Sequence, residues 1–119
     1  MRTAIADVLA SVPGCNIVGQ GANGLEALEL ARALHPDLIV MDLHMPQMGG
    51  LEATGLIKAE LPYTQIVLVS TVMDPDLNTE GLKLGAVACL EKGPDLWHRL
   101  QGIVRKLCQE PAISCADAG

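Results

Sequence analysis

Three polar residues of this sequence each follow a short apolar segment and carry side chains that could do chemistry together. They are Asp42 after Leu-Ile-Val-Met, Ser70 (followed by Thr71) after Ile-Val-Leu-Val, and Lys92 just after Ala-Cys-Leu-Glu. A carboxylate can take a phosphoryl group as a covalent acyl phosphate. A hydroxyl can donate a hydrogen bond to a phosphoryl oxygen, and an ammonium group can neutralise another oxygen. Because phosphoryl transfer depends mainly on positioning and charge stabilisation, such a set needs little more than a metal ion.

Each of these residues also has a simpler interpretation when it is taken alone. An Asp after a strand is commonly a turn residue that bonds its own backbone. Ser70 could cap the next segment, and Lys92 could be a solvated surface charge. The set is more informative than its members, because parallel strands end at the same edge of a sheet, where open α/β folds bind their ligands. The sequence therefore predicts one site built from Asp42, Ser70 and Lys92.

The elements that must position this site alternate between helix and strand. This alternation favours right-handed βαβ crossovers and a parallel sheet with helices on both sides, an α/β fold. We expect one domain over residues 1–108 and a flexible tail over residues 109–119. The apolar spacing predicts helices near residues 2–12, 23–34, 51–61, 74–84 and 95–108, and strands near residues 15–19, 38–41, 65–69 and 86–90.

Composition excludes several classes of protein. The chain has 119 residues and a formal net charge of −6, which argues against non-specific nucleic-acid binding, since phosphate contacts need Lys and Arg. No apolar segment approaches the roughly 20 residues of a membrane span. The four cysteines are far apart and form no zinc or disulfide pattern, which favours a reducing, cytoplasmic compartment. The core must be aliphatic, because there is no Phe.

From Met1 to about Leu107 the chain resembles the receiver domains of two-component response regulators, in particular the subgroup usually fused to a helix-turn-helix DNA-binding domain. This resemblance implies a flavodoxin-like, doubly wound parallel sheet with strand order 2-1-3-4-5. The matching segments are Ala22-Asn23-Gly24-Leu25-Glu26-Ala27-Leu28, Asp42-Leu43-His44-Met45-Pro46, Met48-Gly49-Gly50 and Leu84-Gly85-Ala86.

The resemblance also assigns roles to the site residues. Asp42 would be the phosphoacceptor, Ser70 the switch hydroxyl and Lys92 the lysine that pairs with the phosphate. Asp42 and the backbone carbonyl of His44 would be ligands of Mg²⁺. The expected partner is a histidine kinase or a phosphotransfer protein. Receiver domains catalyse only their own phosphorylation and dephosphorylation, so we expect no further enzymatic activity, and neither direct nucleic-acid binding nor membrane binding.

The sequence departs from this family in ways that bear on activity. Met1 aligns inside the first helix of the family, so the first, central strand and its pair of acidic residues are missing. We therefore expect an incomplete sheet, a weak or absent Mg²⁺ site and impaired phosphorylation of a truncated chain. A start codon upstream of Met1, or a decaying fragment, would account for this. In addition, Cys89 stands where many members carry an aromatic switch residue.

Two other functions compete with phosphoryl acceptance. One is a degenerate receiver-like module that acts only through protein contacts, including self-association through the face of the last two helices or through open sheet edges. The other is a cobalamin-binding module, whose Asp-x-His-x-x-Gly signature begins like Asp42-Leu43-His44. Gln47 stands where that signature needs Gly, which makes this alternative remote.

Overall fold

The described part of the chain alternates strands with helices, as the apolar spacing predicts. The computed structural model describes residues 15–21, 23–43, 48–70, 75–91, 93, 95–107 and 113–118. The helix predicted near residues 2–12 lies outside them. The strands are β1 (Cys15–Gly21), β2 (Leu38–Asp42), β3 (Gln65–Ser70), β4 (Ala88–Glu91) and β5 (Ile113–Ala118). The helices are α1 (Gly24–Leu34), α2 (Gly50–Glu60), α3 (Pro75–Lys83) and α4 (Leu96–Leu107).

The strand that ends at Asp42 is buried along its whole length. Every residue of β2 is buried, and so is every residue of β3 after Gln65. The two strands pair in parallel, with Leu38 opposite Gln65 and Asp42 opposite Val69. A continuous apolar segment suits a strand that is covered on both faces. The predicted parallel α/β arrangement is therefore confirmed for the strands around the site.

The core between the sheet and the helices is aliphatic, as the absence of Phe requires. Ile39 and Met41 of β2 pack with Ile66 and Leu68 of β3 and with Ile57 of α2. None of these side chains is more than 1% exposed. Burying such a side chain contributes about 1.5–3 kcal/mol relative to leaving it in water. The strands that carry Asp42 and Ser70 thus belong to the buried core of the described part of the chain.

The helices turn one apolar face to this core. In α4, Leu96, Leu100 and Val104 recur every fourth residue and are all buried. Helix α1 begins at the N-cap Asn23, whose side-chain oxygen accepts a hydrogen bond of 2.9 Å from the amide of Glu26. This is the cap that the spacing of the two residues predicts. No helix within the described ranges is long and apolar enough to cross a membrane.

The sheet contains a strand that was not predicted. Its order is β1-β5-β2-β3-β4, and every pairing is parallel. Strand β5 comes from the tail for which we expected flexibility, and it occupies the central place that we expected to be empty. Both expectations are wrong for residues 113–118. The inner edges of β1 and β2 carry backbone donors and acceptors that need partners, and this need outweighs the weak β-propensity of Ser, Ala and Asp.

Candidate functional site

Asp42 is the last residue of β2 and lies at the carboxyl edge of the sheet. Only 8% of the residue is exposed. The next residue, Leu43, donates its backbone N–H to the carbonyl oxygen of Val69 over 2.7 Å. This hydrogen bond fastens the chain after Asp42 to the neighbouring strand. The acidic residue is therefore held at the edge where open α/β sheets bind ligands.

Ser70 is the last residue of β3 and lies at the same edge. It is 5% exposed, and its backbone pairs with Glu91 at the end of β4. Because Asp42 lies opposite Val69, Ser70 is the next residue along the adjacent strand. Neighbouring strands lie about 4.8 Å apart. The structure thus brings together two of the predicted site residues, a carboxylate and a hydroxyl.

The other predicted site residues lie outside the described residues. They are Lys92, which directly follows the last residue of β4, His44 in the segment after Asp42, and Thr71 after Ser70. Their roles in phosphate pairing and metal binding remain predictions.

Two glycines make close backbone contacts, one of them beside Asp42, and neither contact was predicted from the sequence. The amide of Gly50 donates to the carbonyl of Leu43 over 3.0 Å as α2 begins. A Cβ atom at Gly50 would lie 2.6 Å from the carbonyl oxygen of Asp42, so a larger residue does not fit. Gly24, the first residue of α1, donates to the carbonyl of Met48 over 3.0 Å. In the sequence, the two adjacent glycines that follow the Asp42 segment were the signal that could have indicated the contact at Gly50.

The described residues fit a Mg²⁺ ion only in part. Mg²⁺ prefers oxygen ligands, usually one or two carboxylates together with water and phosphate oxygens. Asp42 is a ligand of this type. Strand β5 adds a second acidic residue to the sheet, Asp117, whose backbone pairs with Val40, two residues before Asp42. Among the residues that the structure describes, no group of three His, Cys, Asp or Glu side chains could hold a metal.

Cys89 lies on β4, beside α3. Its thiol donates a long hydrogen bond of 3.7 Å to the carbonyl of Asn78. Burial raises the pKa of the Cys89 thiol above its ordinary value, because the charged thiolate would lose solvation. Cys89 is therefore a neutral packing residue at physiological pH.

A cavity of about 250 Å³ lies away from this edge, at the amino ends of β2 and β3. It is lined by the segments 35–37 and 60–64, which precede those strands. Since the strands are parallel, this cavity and Asp42 are at opposite edges of the sheet. The cavity is not part of the candidate site.

The family model for the response regulator receiver domain matches residues 1–101. The chain belongs to this family. The match confirms the family that Asp42 and the segments around it indicate, and receiver domains are the phosphoryl-accepting domains of two-component systems.

Similar proteins agree with this assignment. The receiver domain is 42% identical over 98 residues to a protein-glutamate methylesterase/protein-glutamine glutaminase of Myxococcus xanthus, covering 79% of this chain and 28% of that protein. It is 37% identical over 114 residues to the response regulator GacA of Pseudomonas aeruginosa, covering 96% and 53%. The signal receiver domain of the response regulator NarL from Mycobacterium tuberculosis superimposes with a TM-score of 0.80 at 28% identity, covering 91% and 86%. The flavodoxin-like fold is thereby confirmed.

From these residues we expected a protein without further enzymatic activity, and this expectation is wrong. The Myxococcus xanthus relative is named as a methylesterase and glutaminase, and this receiver domain spans only 28% of its length. It likewise spans about half of GacA. A domain of this family is therefore found within enzymes, and its own residues do not decide what the whole protein catalyses.

Proposed function

We propose that this receiver domain accepts a phosphoryl group on Asp42 from a histidine kinase or a phosphotransfer protein, with impaired efficiency. The proposal rests on the position of Asp42, a buried acidic residue at the end of β2. Asp42 lies opposite Val69 of the paired strand, and the buried Ser70 is the next residue of that strand. Membership of the receiver family supports it.

The chemical step is a phosphoryl transfer from nitrogen to oxygen. A carboxylate oxygen of Asp42 forms a bond to phosphorus while the bond from phosphorus to the histidine nitrogen of the donor breaks. The leaving imidazole nitrogen takes up a proton. The hydroxyl of Ser70 donates a hydrogen bond to one phosphoryl oxygen, and the ammonium group of Lys92 neutralises another.

The impairment follows from the composition of the metal site. When bound, Mg²⁺ neutralises charge on the phosphoryl oxygens. Asp42 and the backbone carbonyl of His44 would hold it, and among the described residues no group of three His, Cys, Asp or Glu side chains could hold a metal ion. A missing carboxylate near 4 Å removes up to about 4 kcal/mol of attraction at an effective dielectric constant of 20. We expect weak binding of Mg²⁺ and slow phosphorylation.

A surface away from Asp42 supports protein contacts. Between α3, β4 and α4 lies a cavity of about 540 Å³, lined in part by Leu82, Val87 and Ile103. Leu82 and Val87 are 51% and 44% exposed, and Arg99 and Lys106 add positive charge. We propose this face for self-association of the receiver domain, in the cytoplasmic compartment that the cysteine spacing favours.

Incubation with acetyl phosphate and Mg²⁺, followed by intact-mass spectrometry, tests the proposed function. We expect the unchanged chain to gain the mass of one phosphoryl group, slowly. Asp42→Asn should gain none, because the acceptor oxygen is lost. Asp37→Asn is the matched control: this exposed residue lies just before β2, at the opposite edge of the sheet, and its substitution should leave the gain unchanged.

The second candidate function is a receiver-like interaction module without phosphorylation. It is favoured by the described residues, among which no group of three His, Cys, Asp or Glu side chains could hold a metal ion. A chain that is folded by circular dichroism, gains no mass from acetyl phosphate at any Mg²⁺ concentration and still associates with itself would support this module and contradict phosphoryl acceptance.

A further inference from the structure

The cavity at the amino ends of β2 and β3 is a concave surface separate from the edge that carries Asp42. Its volume is about 250 Å³, and it is lined by the segments 35–37 and 60–64. Pro36 and Thr64 within these segments are buried, so the cavity reaches the body of the protein. Sites for drug-sized ligands usually measure roughly 300–1,000 Å³. This cavity is therefore suited to one side chain or to a molecule of similar size.

The walls of the cavity are already fastened to each other and to α2. The hydroxyl of Thr64 donates a 3.0 Å hydrogen bond to the carbonyl of Pro36, which joins the two lining segments. The ammonium group of Lys58 donates to the carbonyls of Pro62 and Thr64 over 2.7 and 2.9 Å. A ligand therefore does not have to order these segments when it binds, which lowers the cost of binding.

The charged side chains that line the cavity are both carboxylates. They are Asp37 and Glu60, and the described lining contains no Lys or Arg. Glu60 already holds the guanidinium of Arg32, whose Nε atom donates to its two oxygens over 3.0 and 3.1 Å. A carboxylate has about four lone-pair positions, so Glu60 can accept further donors. The positive charge of Lys58 lies nearby, but its ammonium is directed to backbone carbonyls. The lining therefore favours a cationic group.

An exposed aromatic ring stands beside these carboxylates. Tyr63 also lines the cavity, and at 91% it is the most exposed of the large hydrophobic side chains in the described part of the chain. An aromatic ring attracts a cation over its face. The planar guanidinium of arginine stacks on such a ring and also matches the geometry of a carboxylate, which the compact ammonium of lysine does not. The combination of ring and carboxylates therefore favours arginine among the cationic groups of proteins.

We propose that this cavity binds an arginine side chain of a partner protein. The guanidinium pairs with the carboxylate of Asp37 and stacks on Tyr63, while the aliphatic part of the side chain packs against the half-buried Leu61. An arginine within a protein fits better than the free amino acid. The carboxylate of the free amino acid would approach Asp37 and Glu60 and would meet no cation in the described lining. Binding at this edge leaves the phosphoryl edge open.

An NMR titration of the isotope-labelled, full-length protein tests this binding. The probe is a Gly-Arg-Gly peptide that is acetylated and amidated at its ends, so that arginine carries its only charge. We expect saturable shifts at millimolar peptide, centred on the amide signals of residues 35–37 and 60–64. The control peptide has citrulline in place of arginine, which keeps the shape and removes the charge. It should bind about tenfold more weakly, because charge-assisted hydrogen bonds are roughly twice as strong as neutral ones.

Variants at exposed positions separate the two contacts. Asp37→Asn should weaken binding of the arginine peptide about two- to fivefold, as expected for an exposed ion pair. Asp95→Asn is the matched control, because this exposed carboxylate precedes α4 at the other edge of the sheet and should leave binding unchanged. Tyr63→Leu should weaken binding about two- to fivefold through loss of the ring, whereas Tyr63→Phe keeps the ring and should keep the affinity.

Three results would overturn this assignment. The first, which depends on no variant, is the absence of saturable shifts around the cavity in the unchanged protein. The second is equal binding of the arginine and citrulline peptides, since the cavity would then not recognise charge. The third is tighter binding of free arginine than of the blocked peptide, which would make the cavity a site for a small molecule. None of these results depends on phosphoryl uptake at Asp42.

Discussion

The backbone N–H of Leu43 donates a 2.7 Å hydrogen bond to the carbonyl oxygen of Val69. The residue after Asp42 is thereby tied to the residue before Ser70. Both of these polar residues end a fully buried stretch of strand, so their relative position is fixed by the sheet. A chemical change at Asp42 therefore acts next to a hydroxyl-bearing residue of the paired strand.

Gly50→Ala should destabilise the protein by about 1–3 kcal/mol, the usual cost of forcing extra volume into a packed site. The new methyl group would lie 2.6 Å from the carbonyl oxygen of Asp42 and 2.9 Å from the Cα atom of Leu43. Both are backbone atoms, so the segment after Asp42 must move. Urea unfolding followed by circular dichroism measures the change, and phosphoryl uptake should fall with it.

Gly102→Ala is the matched control for this substitution. Gly102 lies within α4, and a Cβ atom there would meet nothing within 4 Å. Alanine should stabilise the protein by about 0.5–1 kcal/mol, because glycine loses more backbone freedom in a helix. If Gly50→Ala were as stable as Gly102→Ala, the close contact of α2 with Asp42 would be disproved.

Asn23→Ala should cost about 1 kcal/mol of stability. The substitution removes the side-chain oxygen that accepts the amide of Glu26 at the start of α1. Asn23→Asp keeps such an oxygen and should retain most of the stability. Equal losses in the two variants, measured by thermal or urea unfolding, would show that the cap is not what stabilises this helix end.

Cys89 makes stability depend on pH in the alkaline range. Burial raises the pKa of its thiol in the folded state above the value of about 8.5 for a free thiol. Above that pH the unfolded chain releases the proton while the folded chain retains it. Stability that is fully present below about pH 8.5 therefore declines as the pH rises towards the pKa of the folded state.

The contribution of Cys89 to the pH dependence of stability is the difference between the slopes measured for the unchanged protein and for Cys89→Ala. Urea unfolding at a series of alkaline pH values should show a shallower decline for the variant, in which this thiol is absent. Identical slopes in the two proteins would contradict a raised pKa for Cys89.

The parts of the fold that were predicted correctly depend on neighbours in the sequence. The apolar segments before Asp42 and Ser70 predicted buried strands, and the spacing of Asn23 and Glu26 predicted the cap of α1. Strand β5 was not predicted, because its residues have low β-propensity and its partners are distant in the sequence. The requirement for glycine at position 50 was also not predicted. A close approach of two backbones leaves no sign in the sequence except the glycine itself.

The relative placement of two candidate site residues was predictable for the same reason. Asp42 and Ser70 could be placed at one edge because parallel strands share their direction. The hydrogen bond between Leu43 and Val69 involves only main-chain atoms, which no residue type reveals. Asp117 pairs through its backbone with Val40, two residues before Asp42. This position depends on β5, so it could not be predicted while β5 itself was not.

Locating the phosphoryl group is the most direct test of phosphoryl acceptance at Asp42. The chain is incubated with acetyl phosphate and Mg²⁺ and then treated with borohydride, which reduces an aspartyl phosphate to homoserine. Peptide mass spectrometry identifies the altered residue. We predict homoserine at position 42 and at no other position. Reduction at a different carboxylate such as Asp37 or Asp95, or no reduction at all, would contradict the account.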